Sequence, residues 1–332
     1  MNKKAVALFS GGLDSILAIK LMLEQAIEVH ALNFLSVFCD SKSNNRKDGI
    51  IKSAKNLKVP IEIMDITKEF MEIVKAPRYG RGSSMNPCID CRIFGFKKAK
   101  IFMEKIGASF IVTGEVLGER PMSQTRHAID LIERKSGMPG LILRPLSGRL
   151  FEPSMPEKMG IVDRARLLDI QGRSRNRQFG LAKEFGIDDY PTPAGGCLLT
   201  DKGFSNRLKD LFKYNAGYEI NDLNLLKIGR QFRLNESVKL FVGRDEEENK
   251  LLLKLLRPGD YVFDVVDIPS PIGLARGDLN EQDIALISSI IARYSDAKSD
   301  IVTLCYKVIP SEKTNTVTVP PATEKILSPF RI

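Results

Sequence analysis

Ala5-Val6-Ala7-Leu8-Phe9-Ser10-Gly11-Gly12-Leu13-Asp14-Ser15 is the stretch whose reading decides the fold. Five apolar residues running into Ser-Gly-Gly read as a buried strand entering a tight turn. Ile16, Leu17, Ile19, Leu21 and Leu23 then suit a helix that begins near Ile16. The turn therefore sits at a helix N-terminus, where unpaired backbone N–H groups and the positive end of the dipole hold anions. Glycines there let a phosphate approach the main chain. Ser10 and Ser15 add hydroxyls, while Asp14 is a carboxylate in a place suited to anions. That makes sense if it holds Mg²⁺ or positions a reacting group. The Lys-Ser/Thr ending of the Walker loop is absent. An anion-free strand-to-helix turn is the plain alternative.

Ser-Gly-Gly-x-Asp-Ser after a first strand resembles the PP-loop of the ATP pyrophosphatases, which cleave ATP between the α and β phosphates and pass AMP to a carbonyl oxygen. The resemblance implies ATP and Mg²⁺ at Ser10, Gly11, Gly12, Asp14 and Ser15, with Asp14 catalytic. Further along, Val29 to Leu35 reads as a second strand, Lys52 to Leu57 as the end of a helix, and Pro60 to Ile66 and Phe110 to Thr113 as further strands. This βαβα rhythm predicts a parallel sheet covered on both faces, with ligands at the carboxyl ends of its strands. Asn33, near the end of the second strand, is then a candidate nucleotide contact. The expected fold class is α/β, an adenine-nucleotide α-hydrolase-like catalytic domain over residues 1–200. A smaller α+β accessory domain, a candidate RNA binder, is expected over 201–332.

A chain of 332 residues fits two domains. No apolar run approaches the roughly 20 residues needed to span a bilayer, and the N-terminus lacks a signal-peptide pattern. The expected compartment is the cytoplasm. The formal charge is +9, and residues 203–332 hold 18 basic and 18 acidic residues, so the whole excess lies in the first part. Such an excess suits a polyanion such as RNA or is simply a solvated basic surface.

The cysteines come next. Tyr79, Gly80, Gly82, Ser83 and Ser84 read as a flexible loop before Asn86-Pro87-Cys88-Ile89-Asp90-Cys91-Arg92 and a basic helix. Two cysteines at this spacing can grip a metal or cluster edge, or form a redox disulfide. A third lies in Pro193-Ala194-Gly195-Gly196-Cys197, reached through Tyr190-Pro191-Thr192-Pro193. Three thiolates at Cys88, Cys91 and Cys197 suit a [4Fe–4S] cluster with one iron open; catalytic or redox thiols and a zinc or structural site stay as alternatives. Cys39, in a polar loop from Ser36 to Arg46, is a secondary candidate for a reactive thiol or sulfur carrier.

Asn-Pro-Cys-x-x-Cys before a basic helix resembles the tRNA 2-thiouridylases, and Cys-x-x-Cys with one distant Cys resembles the ligand set of iron–sulfur-dependent tRNA thiolation enzymes. Thr113-Gly114-Glu115-Val116-Leu117-Gly118 followed by Ser123-Gln124-Thr125 resembles the 4-thiouridine synthases. From the residues alone, a strand ending in Thr-Gly-Glu puts a carboxylate and a close-approach glycine on the sheet's functional edge. Gly114, Glu115 and Gln124 are thus candidate nucleotide contacts. The sequence departs from most 4-thiouridine synthases in opening directly at its first strand, without the RNA-binding domains that precede the sheet there.

Leu143-Arg144-Pro145-Leu146 opens an irregular, arginine-rich region with Arg149, Arg164, Arg166, Arg173, Arg175 and Arg177, whose forks match nucleic acid phosphates or are ion-paired. Helices are expected at Gln178–Phe185 and Phe204–Phe212, strands at Ser237–Val242, Tyr261–Val266 and Val302–Val308, and a further apolar element at Leu251–Leu256. Asp245 to Glu248 form an acidic helix start. Phe241-Val242-Gly243-Arg244 with Asn249 weakly resembles the RNA-binding module of fibronectin-binding and ribosome-rescue proteins. Cys305 reads as core and His127 as a surface-loop residue; neither His30 nor His127 has metal-ligand spacing.

Together the resemblances imply ATP-dependent thiolation of tRNA. Asp14, Cys88 and Cys197 would be catalytic, Cys88, Cys91 and Cys197 would hold the cluster, and a sulfide or a persulfide-carrying protein would donate sulfur. The rivals are a PP-loop amide ligase, a cluster-dependent thiouracil desulfidase, and a non-catalytic RNA-binding protein.

Overall fold

The computed structural model describes residues 1–39, 46–190 and 196–332. The centre of the expected polar loop, residues 40–45, lies outside them. So does most of the expected approach to Cys197, residues 191–195. The chain divides into two compact units, Met1–Thr200 and Asp201–Ile332.

The first unit runs β1 (Lys4–Leu8), α1 (Leu13–Leu23), β2 (Glu28–Leu35), α2 (Arg46–Asn56), β3 (Ile61–Asp65), α3 (Thr67–Lys75), α4 (Cys88–Lys105), β4 (Phe110–Thr113), α5 (Arg126–Ser136), β5 (Ile142–Leu143), α6 (Met155–Lys158) and α7 (Asn176–Glu184). Its five strands are parallel in the order β3-β2-β1-β4-β5. Alternation along a strand sends side chains to opposite faces. Ala5 and Ala7 accordingly join one core with Leu17, Val29 and Val112, while Val6 joins a second with Leu32, Phe96 and Ile111. Both faces are covered, as a parallel sheet requires. The strand order turns at β1, with β2 on one side and β4 on the other. The crevice at such a switch point opens beyond the carboxyl ends of the strands, where Ser10–Ser15 sits.

The second unit contains α8 (Lys202–Tyr214), α9 (Ile220–Leu225), β6 (Arg230–Arg233), β7 (Lys239–Val242), α10 (Glu246–Lys254), β8 (Tyr261–Val265), β9 (Gly273–Arg276), α11 (Glu281–Arg293), β10 (Val302–Val308), β11 (Asn315–Val319) and α12 (Glu324–Leu327). Its six strands are antiparallel in the order β11-β10-β8-β9-β7-β6. Ile287, Ile290 and Ile291 of α11 share a core with Phe232, Leu240 and Phe263.

Several expectations need correcting. The first helix starts at Leu13, one turn earlier than Ile16, because Gly12 already caps it. Leu251 to Lys254 is the second half of α10, whose start Asp245 caps by accepting from Glu248 N–H at 2.9 Å. His127 lies in the first turn of α5, exposed, and Cys305 is only half-buried. The stretch read as irregular from Leu143 includes the edge strand β5. Among the described residues no helix is long and apolar enough to cross a membrane.

Candidate functional site

Two motifs converge on one edge of the parallel sheet. At the first, Gly11 has φ +77°, in the left-handed region that favours glycine, and turns the chain from β1 into α1. The Ser15 hydroxyl donates to the Gly12 carbonyl at 2.7 Å, and the Ser10 hydroxyl accepts from Gly12 N–H at 3.3 Å. Asn33, buried on β2, donates its amide to the Phe9 carbonyl at 2.6 Å and so pins the loop's entry. Gly114 supports it from the far side: a Cβ there would lie 2.6 Å from the Asp14 carbonyl carbon and 2.7 Å from Ser15 N. The close approach expected at Gly114 is thus made by the protein's own backbone.

Charge collects around Asp14. Arg175, which precedes α7, donates to Asp14 Oδ2 at 2.8 Å, and its Nε lies 3.8 Å from Glu119 Oε1. Burial pushes the Asp14 carboxyl above the usual range, and Arg175, Gln178 and Arg120 pull it back without cancelling the effect. Burial also raises Glu119, with the Asp14 charge adding to it. Gln178 is fully buried, and among the described residues neither end of its amide forms a hydrogen bond, nor do Asp14 Oδ1 and Arg175 Nε. Gln178 acts on Asp14 through proximity rather than through a well-formed bond. Buried polar atoms left open cost stability, and several of them gather around Asp14.

The second motif is the cysteine end of α4. Cys88 and Cys91 occupy its first turn, and Asp90 between them accepts from Arg78 and Tyr79 N–H at 3.1 and 3.0 Å. Asn86 donates to Cys88 Sγ at 3.2 Å and its carbonyl accepts from Gly82 N–H at 2.9 Å, while Arg81 caps the carbonyls of Val74 and Lys75. The loop expected to be flexible is therefore tied at several points. Met85 N–H donates to the Leu199 carbonyl at 3.0 Å and Ser84 to Thr200 at 3.4 Å, which brings Cys197 beside the pair. Burial pushes the Cys91 thiol up to about 11. Cys197 is exposed as a residue, yet desolvation of its sulfur, reinforced by Cys91, Cys39 and Cys88, pushes the thiol up to about 12.

Glu115 joins the two motifs. It directly follows Gly114 and is buried between Arg92, one residue past Cys91, at 3.4 Å and Arg144 at 3.2 Å. Its carboxylate therefore faces arginines of the protein, and Arg144, 5% exposed, is withdrawn from any nucleic acid. Gln124 is buried with its Oε1 unpaired. Reading the sequence placed Arg175 only within an arginine cluster, and missed Glu119, Gln178 and Arg92. Gly172-Arg173-Ser174-Arg175 carries no spacing that singles out the one arginine turned inward.

A parallel sheet with an anion-type loop at its switch point and cysteines on the same edge defines an α/β protein of doubly wound type. Residues 1–173, more than half of the sequence, match the family model described as thiamine biosynthesis protein (ThiI), and the chain belongs to that family. Residues 229–331 match the model of the NFACT protein RNA binding domain. A tRNA-specific 2-thiouridylase MnmA of Syntrophotalea carbinolica is 29% identical over 121 residues, covering 34% of each protein. A probable tRNA sulfurtransferase of Thermoanaerobacter sp. strain X514 is 30% identical over 152 residues, 44% of this chain and 37% of that one. The chain thus spans about a third of the length of the curated relatives it matches. A solved 4-thiouridine synthetase–RNA complex with bound ATP aligns at 23% identity and TM-score 0.38, covering 68% of this chain and 52% of the other.

Proposed function

We propose that this chain is an ATP-dependent tRNA sulfurtransferase, with residues 1–200 as its catalytic domain and 201–332 as an accessory RNA-binding domain. The observation that carries the proposal is the Gly114-Glu115 step. One residue packs on the Asp14 loop and the next is ion-paired beside Cys91, so both chemistries share one edge. ATP would lie with its phosphates on the Ser10–Ser15 loop and the first turn of α1, where helix N–H groups favour anions. A uracil carbonyl oxygen attacks the α-phosphorus and pyrophosphate leaves. Sulfur then adds to the activated carbon, and AMP departs with the original oxygen. Adenylation is needed because a carbonyl oxygen is otherwise a poor leaving group.

This reading implies a metal at each of two groups. Asp14, with its open Oδ1 and Glu119 nearby, would hold Mg²⁺ against the phosphates, and Arg175 would balance the charge that develops on them. At the other end, Cys88, Cys91 and Cys197 would hold a [4Fe–4S] cluster, which would supply a bound sulfide for transfer. Among the described residues no three His, Cys, Asp or Glu groups stand close enough for a single ion. Burial raises the Cys91 and Cys197 thiols, and ligation would release their protons.

Anaerobic purification with iron and sulfide analysis tests the cluster, for wild type and for Cys88→Ala, Cys91→Ala and Cys197→Ala. The reading expects iron near four per chain, lost in each variant. Pyrophosphate release that depends on unmodified tRNA, with thiouridine appearing in the digested nucleosides, tests the reaction. Release that instead depends on ammonia and a small acid would establish the amide ligase. Sulfur removal from thiouracil without ATP would establish the desulfidase, and RNA binding without turnover the non-catalytic reading.

A further inference from the structure

Cys39 has no place in the three-thiol site, yet the backbone sets it opposite one member of it. The segment after β2 and the segment before Thr200 form an isolated antiparallel bridge between Cys39 and Cys197. Leu198 N–H donates to the Phe38 carbonyl at 2.9 Å. That bond joins the residue after Cys197 to the residue before Cys39, which makes Cys39 and Cys197 a non-hydrogen-bonded pair of the ladder. Residues so paired have Cα atoms about 4.5 Å apart and side chains on the same face. The spacing falls within the Cα range of about 4.4 to 6.8 Å that a disulfide spans. Both thiols are free, and Cys39 is only half-buried, so a small oxidant can reach the pair although the Cys197 sulfur itself is desolvated. The Ser36 hydroxyl lies 3.7 Å from the Cys39 sulfur, and Cys39 N–H donates to the Ser36 carbonyl at 3.0 Å, which holds the thiol at the bridge.

We propose that Cys39 and Cys197 form a cross-strand disulfide under hydroperoxide, and that this closes the three-thiol site by withdrawing Cys197 from it. One thiolate of the pair attacks the peroxide oxygen, the O–O bond breaks, and the sulfur becomes a sulfenic acid with release of water. The second thiol displaces the hydroxyl, which leaves as water with the thiol's proton. Two electrons pass from the sulfurs to hydrogen peroxide, and two waters form. A dithiol reductant reverses the change by exchange. Cys88 and Cys91 share the first turn of one helix and lack such a ladder partner among the described residues, so the pair is specific. The pairing stands on the bridge alone; its consequence for iron rests on the cluster reading given above.

The test uses the full chain, reduced and free of metal, treated with stoichiometric hydrogen peroxide. Non-reducing peptide mapping is expected to find Cys39 linked to Cys197, with free thiols falling by two from five. Cys39→Ser and Cys39→Ala should abolish the link, and Cys88→Ser should keep it. A link from Cys197 to Cys88 or Cys91, or a Cys39 that stays fully alkylatable after oxidation, would overturn the pairing. Iron and sulfide reconstitution then reads the gating. Reduced wild type should load, oxidised wild type should fall at least about tenfold and recover with dithiothreitol, and Cys39→Ser should load in either state. Equal loading of the mapped disulfide form would overturn the gating. Iron that binds in no state would overturn the cluster reading and the gating with it, while the map decides the disulfide by itself.

Discussion

Each unit of the chain buries carboxylates against arginine, and the two arrangements end differently. In the second unit Asp210 accepts from Arg233 at 2.8 Å and from Lys239 at 3.0 Å. Burial alone would raise its carboxyl, but the two cations outweigh burial and hold it below the usual range. Lys239 moves the other way: burial carries it down to about 8 against the pull of Asp210, with Arg233 and Arg207 adding to the fall. Nearby, Arg276 is shared between Asp222 and Asp260 at 2.6 and 2.7 Å. These groups are completed by the protein's own side chains. Around Asp14 the same ingredients are left incomplete, with both acids raised and buried polar atoms open. A complete charge network is costly to break, whereas an incomplete one already carries the cost of its open groups.

The contrast can be broken by substitution. Asp210→Ala strands two buried cations and should cost about 3–5 kcal/mol in urea unfolding. A loss below about 1 kcal/mol would mean that the network is no more than surface decoration. Asp14→Asn should slow ATP-dependent pyrophosphate release about a hundredfold or more, while melting no lower than wild type at pH 7. The sign follows from its raised carboxyl, whose charged form folding disfavours. That penalty is absent below the unfolded value of 3.8, grows as pH rises past it and is complete above the raised folded value. Wild type should therefore gain on Asp14→Asn in melting temperature as pH is lowered from 7 towards 4, and a constant gap would contradict the assignment.

Gly114→Ala should cost about 1–3 kcal/mol, since its methyl meets backbone atoms of Asp14 and Ser15 that cannot swing aside. The same change should weaken binding of a non-hydrolysable ATP analogue in calorimetry, linking packing to the site. The smallest effect belongs to Arg244, half-exposed and paired with Glu248 one turn on. Arg244→Ala should shift stability by no more than about 0.5 kcal/mol, because water screens the pair.

What could be read from the residues were the features with local periodicity or chemistry. The apolar run ending in Ser-Gly-Gly specified a strand, a turn and a helix, and β1, β2, β3 and β4 fell where alternating strands and helices put them. Cys88 and Cys91 stood out by spacing, and the structure sets both in the first turn of α4. Pairings between distant residues left no such trace. Arg175 meets Asp14 across 161 residues and Arg144 meets Glu115 across 29, and nothing in either neighbourhood marks one arginine as inward-facing. The Cys39–Cys197 bridge is equally silent, because a two-residue contact has no pattern to repeat. Glu115 is instructive in another way: a glutamate at a strand end can face a ligand, solvent or arginine, and only packing decides.

The clasp between Met85 and Leu199 also fixes an order of events in synthesis. Cys88 and Cys91 emerge from the ribosome roughly a hundred residues ahead of Cys197. At about 5–20 residues per second, they wait on the order of 5–20 seconds for their third partner. During that interval the nascent chain offers a bare two-thiol helix end, open to adventitious ions and to premature oxidation. The three thiols can come together only as the first unit is completed at Thr200, while the second unit, Asp201–Ile332, is still to be made.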